Sequence, residues 1–148
     1  MAGKGLPDGK ARVSIIKAKD LVKSDLVGKS DPYALMKYGT QKYKTPTIKN
    51  SQNPRWDCEV EFDFPDGDSS AVNIEVFDED LLGKDKSLGK VNVDMNDLDN
   101  LASPHGQWFP LEGVKLGQVL LSGDILDISP DGWTETGLNL SFDKKTEG

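Results

Sequence analysis

Apolar and polar residues alternate with a period of two along much of the chain. Val60, Phe62 and Phe64 alternate with Glu59, Glu61 and Asp63, and the same rhythm recurs at Val72, Ile74, Val76, at Val91, Val93, Met95 and at Leu138, Leu140, Phe142. This period sends successive side chains to opposite faces of a strand, one wet and one packed. Four more strands are expected over Arg12 to Lys19, Tyr33 to Gly39, Gln41 to Ile48 and Gln118 to Ile128, with turn clusters of Gly, Asp, Asn and Pro between them. No segment is long and amphipathic enough for a helix. A single turn is expected around Met95 to Leu101, with Asn96 placed to cap it. The pattern predicts an all-β fold, an eight-stranded antiparallel β-sandwich with Greek-key connections. The 148 residues suit one domain with a core from about 10 to 142, and the polar, Gly-rich ends, 1 to 9 and 143 to 148, are expected to be loose.

Charge narrows the function. Acidic residues outnumber basic ones, 25 to 18, for a net charge of −7. Nucleic acid is therefore excluded as the main partner, because phosphate binding wants the opposite sign. Of the acids, 18 are Asp and 7 are Glu, and Asp favours turns and compact oxygen cages. The lone Cys58 leaves no internal disulfide and suits a reducing compartment. No apolar run approaches the roughly 18 to 20 residues that span a bilayer. The first residues lack the apolar stretch of a signal peptide, and Ala2 stands where myristoylation needs Gly. A cytoplasmic location is expected. Enzymatic chemistry is not expected, since the single His105 has no nucleophile motif near it and no Gly-rich phosphate loop appears. Asp66-Gly67-Asp68 lacks the register of an EF-hand.

Two loops carry the candidate chemistry. Ser24 to Tyr33 and Phe77 to Lys86 each contain Asp, two aliphatics, Gly and Lys (Asp25 to Lys29; Asp80 to Lys84), with further Asp residues around them. Loops at one end of a sandwich cluster, so four or five carboxylates would face one another there. Like charges at close range repel, and a hard divalent cation relieves the repulsion. Calcium takes 6 to 8 oxygen ligands, and no His or Cys accompanies these Asp residues to favour zinc or copper. The bland alternative is that the turn Asp residues only cap local backbone.

At these residues the sequence resembles the C2 domain, a calcium- and phospholipid-binding β-sandwich, over about residues 10 to 128. Ala18, Leu21, Gly28 and Ser30-Asp31-Pro32-Tyr33 resemble the family's first strand and loop. Asn53-Pro54-Arg55-Trp56 resembles the motif before its fourth strand, and Val76-Phe77-Asp78-Glu79-Asp80 through Leu88-Gly89 resembles its third calcium loop. The resemblance implies calcium ligands at Asp25, Asp31, Asp78 and Asp80, with the backbone carbonyls of Ser24 and Glu79. The family's usual fifth carboxylate falls at Lys86, and Asp85 stands one residue earlier as the fifth candidate. That departure implies fewer calcium ions than in the fullest members, one rather than two or three. The resemblance also implies the circularly permuted topology, in which the extra strand comes last, here expected at Leu138 to Phe142.

Around these loops lie two candidate membrane features. The pairs Leu26-Val27 and Leu81-Leu82 occupy the expected loop tips. They either fold back onto the core or dip into lipid once calcium neutralises the carboxylates. Lys37, Lys42, Lys44 and Lys49 lie on or after the second and third strands, with Tyr33 beside them. The resemblance places Tyr33, Lys37, Lys42 and Lys44 at the family's lysine-rich groove for anionic headgroups, although Leu35 stands where a further lysine belongs. The plain alternative is a solvated edge whose lysines deter aggregation. Two functions follow: a module that binds anionic phospholipid surfaces peripherally and reversibly when calcium is bound, or a calcium-independent scaffold that binds protein partners.

Overall fold

In a computed structural model, residues 7–23, 30–65, 71–94, 97–98, 101 and 105–127 are described. They contain β1 (Pro7–Lys19), β2 (Pro32–Tyr38), β3 (Gln41–Lys44), β4 (Arg55–Pro65), β5 (Ala71–Asp78), β6 (Lys86–Asp94), β7 (Gln107–Pro110) and β8 (Gln118–Asp127). Two antiparallel four-stranded sheets result, ordered β4-β1-β8-β7 and β3-β2-β5-β6. Alternation explains their packing. Val13, Ile15, Phe62 and Leu121 of one sheet and Met36, Ile74, Val76 and Leu88 of the other all lie in one buried cluster. Two inner faces of this kind pack about 10 Å apart. Leu98 and Leu101 join the same cluster from a short 3₁₀ segment at 97–98 and 101.

Three expectations are revised. The first strand reaches back to Pro7, where loose chain is expected, because Pro7 and Gly9 pair with Pro65 and Phe64 of β4. The third strand stops at Lys44 rather than Ile48. Pro46 has no N–H to give a ladder, and the Thr45 hydroxyl takes over by accepting the Ala34 N–H at 2.9 Å. β7 has no counterpart among the expected strands. Among the described residues the last strand, β8, lies between β1 and β7; the strand expected at Leu138 to Phe142, like Met95 and Asn96, lies outside the described residues.

Register defines the ends of the sandwich. Lys19 and Pro110 both pair with Gln118, Lys17 pairs with Arg55, and Asp78 pairs with both Pro32 and Lys86. Main-chain bonds from Ala18 N–H to Pro54 O at 2.9 Å and Ser51 N–H to Ser30 O at 2.8 Å bring these strand ends together. The β1–β2, β3–β4, β5–β6 and β7–β8 connections therefore all leave from one end.

A bulge in β6 seats the last of these connections. Between the pairs Glu75 with Lys90 and Phe77 with Ser87, β6 carries one extra residue. Gly89 there has φ of 115°, and a Cβ on it would lie 2.7 Å from Leu111 Cβ and 2.8 Å from Val114 Cγ2. Gly89→Ala should thus strain the backbone and push the β7–β8 connection away, costing about 1–3 kcal/mol of stability by urea denaturation. Stability equal to the parent chain would contradict this packing.

Candidate functional site

Asp31 ties three connections together. Its N–H donates to Asp78 Oδ1 at 2.9 Å, its carbonyl accepts from Glu79 N–H at 3.0 Å, and its Oδ1 accepts from Asn50 N–H at 2.6 Å. Asp78 continues the inward row of Val72, Ile74 and Val76 on β5, so it ends at the mouth between the sheets, only 4% exposed. Lys86 is its cross-strand partner, which sends both side chains off the same face of the sheet. The Glu79 side chain turns to the β3–β4 connection, where it accepts from Thr47 at 3.2 Å and pairs with Lys49 at 3.3 Å.

Asp80 and Asp85 form a second unit. Asp80 Oδ1 accepts from Leu82 N–H at 3.0 Å, and Asp80 N–H donates to Asp85 Oδ1 at 2.9 Å. The other Asp85 oxygen accepts the Tyr33 hydroxyl. These donors hold the Asp85 carboxyl below the usual carboxylate range, the Asp80 amide first and the Tyr33 hydroxyl second. Burial, and then the bond to Asp85, push the Tyr33 phenol up to about 12. The Tyr33 ring stacks on Phe77 with centroids 5.5 Å apart, and Lys44 Nζ sits 4.2 Å from its centroid.

The described ligand candidates thus fall into two neighbouring groups, Asp31 with Asp78 and Asp80 with Asp85. All are hard oxygen donors, the kind calcium takes. Each already anchors a main-chain N–H, and both Asp85 oxygens are engaged. Among the described residues no three His, Cys, Asp or Glu side chains are grouped to hold a metal. Ser24, Asp25, Leu26 and Val27 lie outside the described residues.

Leu81 and Leu82 are exposed by 80% and 100%. Tyr33, Lys37, Lys42 and Lys44 share the outer face of the β3-β2-β5-β6 sheet, because Leu35 pairs with Lys44 and Lys37 with Lys42. Sequence reasoning overlooks Asn50, since its role rests on contacts across 19 residues. Its φ of 56° is a left-handed conformation that Asn tolerates, a weak local signal for a tight turn.

A model of the C2 domain matches residues 9–111. The chain is 34% identical over 133 residues to extended synaptotagmin-3 of Xenopus tropicalis, covering 84% of this chain and 14% of that protein. It is 40% identical over 94 residues to a calcium-dependent lipid-binding protein of Arabidopsis thaliana, covering 63% of this chain and 18% of that protein. The chain therefore spans less than a fifth of either relative. The calcium-bound C2A and C2B domains of extended synaptotagmin 2 superpose with a TM-score of 0.76 at 32% identity, covering 84% of this chain and 48% of that one. With most of its length matched and both sheets in place, the chain belongs to the C2 domain family.

Proposed function

We propose that the protein is a calcium-regulated module that docks peripherally and reversibly on anionic phospholipid membranes through its loop end. The observation that carries this reading is the exposure of Leu81 and Leu82 on a connection whose flanks are Asp78, Asp80 and Asp85. Apolar side chains exposed beside two pairs of carboxylates suit a surface that is buried only after the charge is met. The names of the relatives, one a calcium-dependent lipid-binding protein and one a structure with calcium bound, agree with it. No helix among the described residues is long and apolar enough to cross a membrane, in keeping with a peripheral association.

The mechanism is electrostatic. At a net charge of −7, the protein and an anionic leaflet repel. An ion between Asp31, Asp78 and Asp80 would draw further oxygens from Asp25 and from the carbonyls of Ser24 and Glu79. Lys86, on the same sheet face as Asp78, places a positive charge where a second ion would need a carboxylate, and Asp85 is held by Tyr33 and Asp80. One ion is the reading these contacts favour. Each bound calcium reverses the local field, after which Leu81 and Leu82, with Leu26 and Val27, enter the interface. Full burial of one such side chain contributes roughly 1.5–3 kcal/mol. On the flank, Lys37 and Lys42 stand directly opposite each other, an unfavourable like-charge pair that an anionic headgroup would relieve. The engagement of Asp85, and the lack of a three-carboxylate group among the described residues, favour the second reading, a calcium-independent scaffold, and the same experiment separates the two.

Asp78→Asn with Asp80→Asn should abolish calcium-dependent sedimentation with phosphatidylserine vesicles while the circular dichroism spectrum stays that of a sandwich. Sedimentation unchanged by the double substitution would defeat the site assignment, and a parent chain that calcium does not affect, with or without lipid, would favour the scaffold. Leu82→Ser should weaken vesicle affinity roughly tenfold at saturating calcium and leave calcium binding in solution intact; equal vesicle affinity would remove that leucine from the interface. Tyr33→Phe removes one of the donors that stabilise the Asp85 carboxylate, so the Asp85 pKa should rise toward the ordinary value in an NMR titration. A pKa unmoved by that change would show that the phenol does not hold Asp85.

A further inference from the structure

The opposite sheet carries a second cluster near the same end. Val13 and Ile15 of β1 point inward, and a strict alternation would send Lys17 and Lys19 after them. A bulge between Ile15 and Lys17, present in both pairings of β1, shifts the phase by one residue. Ala18 is buried instead, and Lys17 and Lys19 emerge on the outer face. Trp108 lies two strands away in the same row, since Leu120 pairs with both Lys17 and Trp108. Phe109 packs against the core, so its neighbour Trp108 turns outward. Lys19 Nζ sits 4.2 Å and Lys17 Nζ 5.9 Å from the Trp108 ring centroid. Lys10, Arg12, Lys49 and Arg55 all pair with carboxylates. Lys17 and Lys19 have no such partner among the described residues.

The β7–β8 connection adds an apolar element. Leu116 is 58% exposed, and Tyr43, Leu81 and Leu82 are the other large hydrophobics exposed among the described residues. Three of these four stand on connections at the loop end. Gly117, the residue after Leu116, with φ of 113°, would carry a Cβ 3.5 Å from Leu21 Cδ2 and 3.6 Å from the Asp20 carbonyl, which sets this part of the β7–β8 connection beside the start of the β1–β2 connection.

From this arrangement we infer that Lys17, Lys19, Trp108 and Leu116 form a second contact with an anionic bilayer, on the sheet opposite Lys37, Lys42 and Lys44, so that the protein docks upright with both faces touching lipid. The inference rests on the membrane-docking reading and extends it to a new surface. Two lysines without carboxylate partners on a strongly acidic protein complement a negative surface. An indole with a polar rim suits the headgroup layer. An exposed leucine at the end that already presents Leu81 and Leu82 suits a continuous plane better than a discrete acidic protein partner.

The test uses the full chain with Cys58→Ala, an environment-sensitive fluorophore attached through Leu116→Cys or Leu82→Cys, and vesicles of phosphatidylserine and phosphatidylcholine with calcium. A blue shift at both positions is expected. In parallel, Lys17→Ala with Lys19→Ala should weaken vesicle affinity about fivefold per lysine, with calcium binding in solution unchanged and a shallower dependence on salt. A label at position 116 that stays in water while the one at position 82 shifts would overturn this contact and leave the docking reading standing. Silence at both positions would overturn the docking reading itself. Full affinity after loss of both lysines would also overturn the second contact and return that face to an acidic protein partner or to solvent.

Discussion

Carboxylates crowded at one end of a β-sandwich repel one another, and the loop end depends on how that repulsion is met. Here main-chain N–H groups meet part of it. Asp78 receives the Asp31 amide, Asp31 the Asn50 amide, Asp80 the Leu82 amide and Asp85 the Asp80 amide. The acids become the fasteners of the connections that carry them, and at Asp85 the amide donor also favours the charged form of the carboxyl. Partial positive charge of this kind fixes geometry without cancelling a full negative charge. The remainder is what a divalent cation, or a lysine such as Lys86, can answer.

The same fastening explains the apolar tip. Asp80 takes the Leu82 N–H on its carboxylate and gives its own N–H to Asp85, and the turn between them carries Leu81 and Leu82 exposed. Exposure there is a consequence of local hydrogen bonding rather than of looseness. On the proposed function, calcium and membrane would act on one another, each supplying what the other lacks, charge reversal on one side and additional oxygens and apolar volume on the other. Tyr33 joins this end to the basic sheet face, taking Lys44 on its ring and giving its hydroxyl to Asp85.

Strands with strict alternation are legible in the sequence because one buried face fixes their register. Val72, Ile74 and Val76 on β5 show this most plainly, and Asp78 continues their row to the mouth. β7 is not, since Gln107 to Pro110 has adjacent aromatics and no alternation, and it owes its extended form to pairing with β8. Lys17 and Lys19 read as inward residues until the bulge in β1 is known, and a bulge leaves no mark in composition. The commitment of Asp85 to Tyr33 spans 52 residues and is likewise invisible in local spacing. Proline and hydroxyl chemistry at Thr45 and Pro46 could have marked the early end of β3.

Calorimetric titration of calcium, carried out alone and again with phosphatidylserine vesicles present, tests the central claim most directly. The account predicts heat that saturates in both cases, near one ion per chain, with a lower apparent Kd when the vesicles are there. No heat in either titration, or the same Kd with and without lipid, would contradict it.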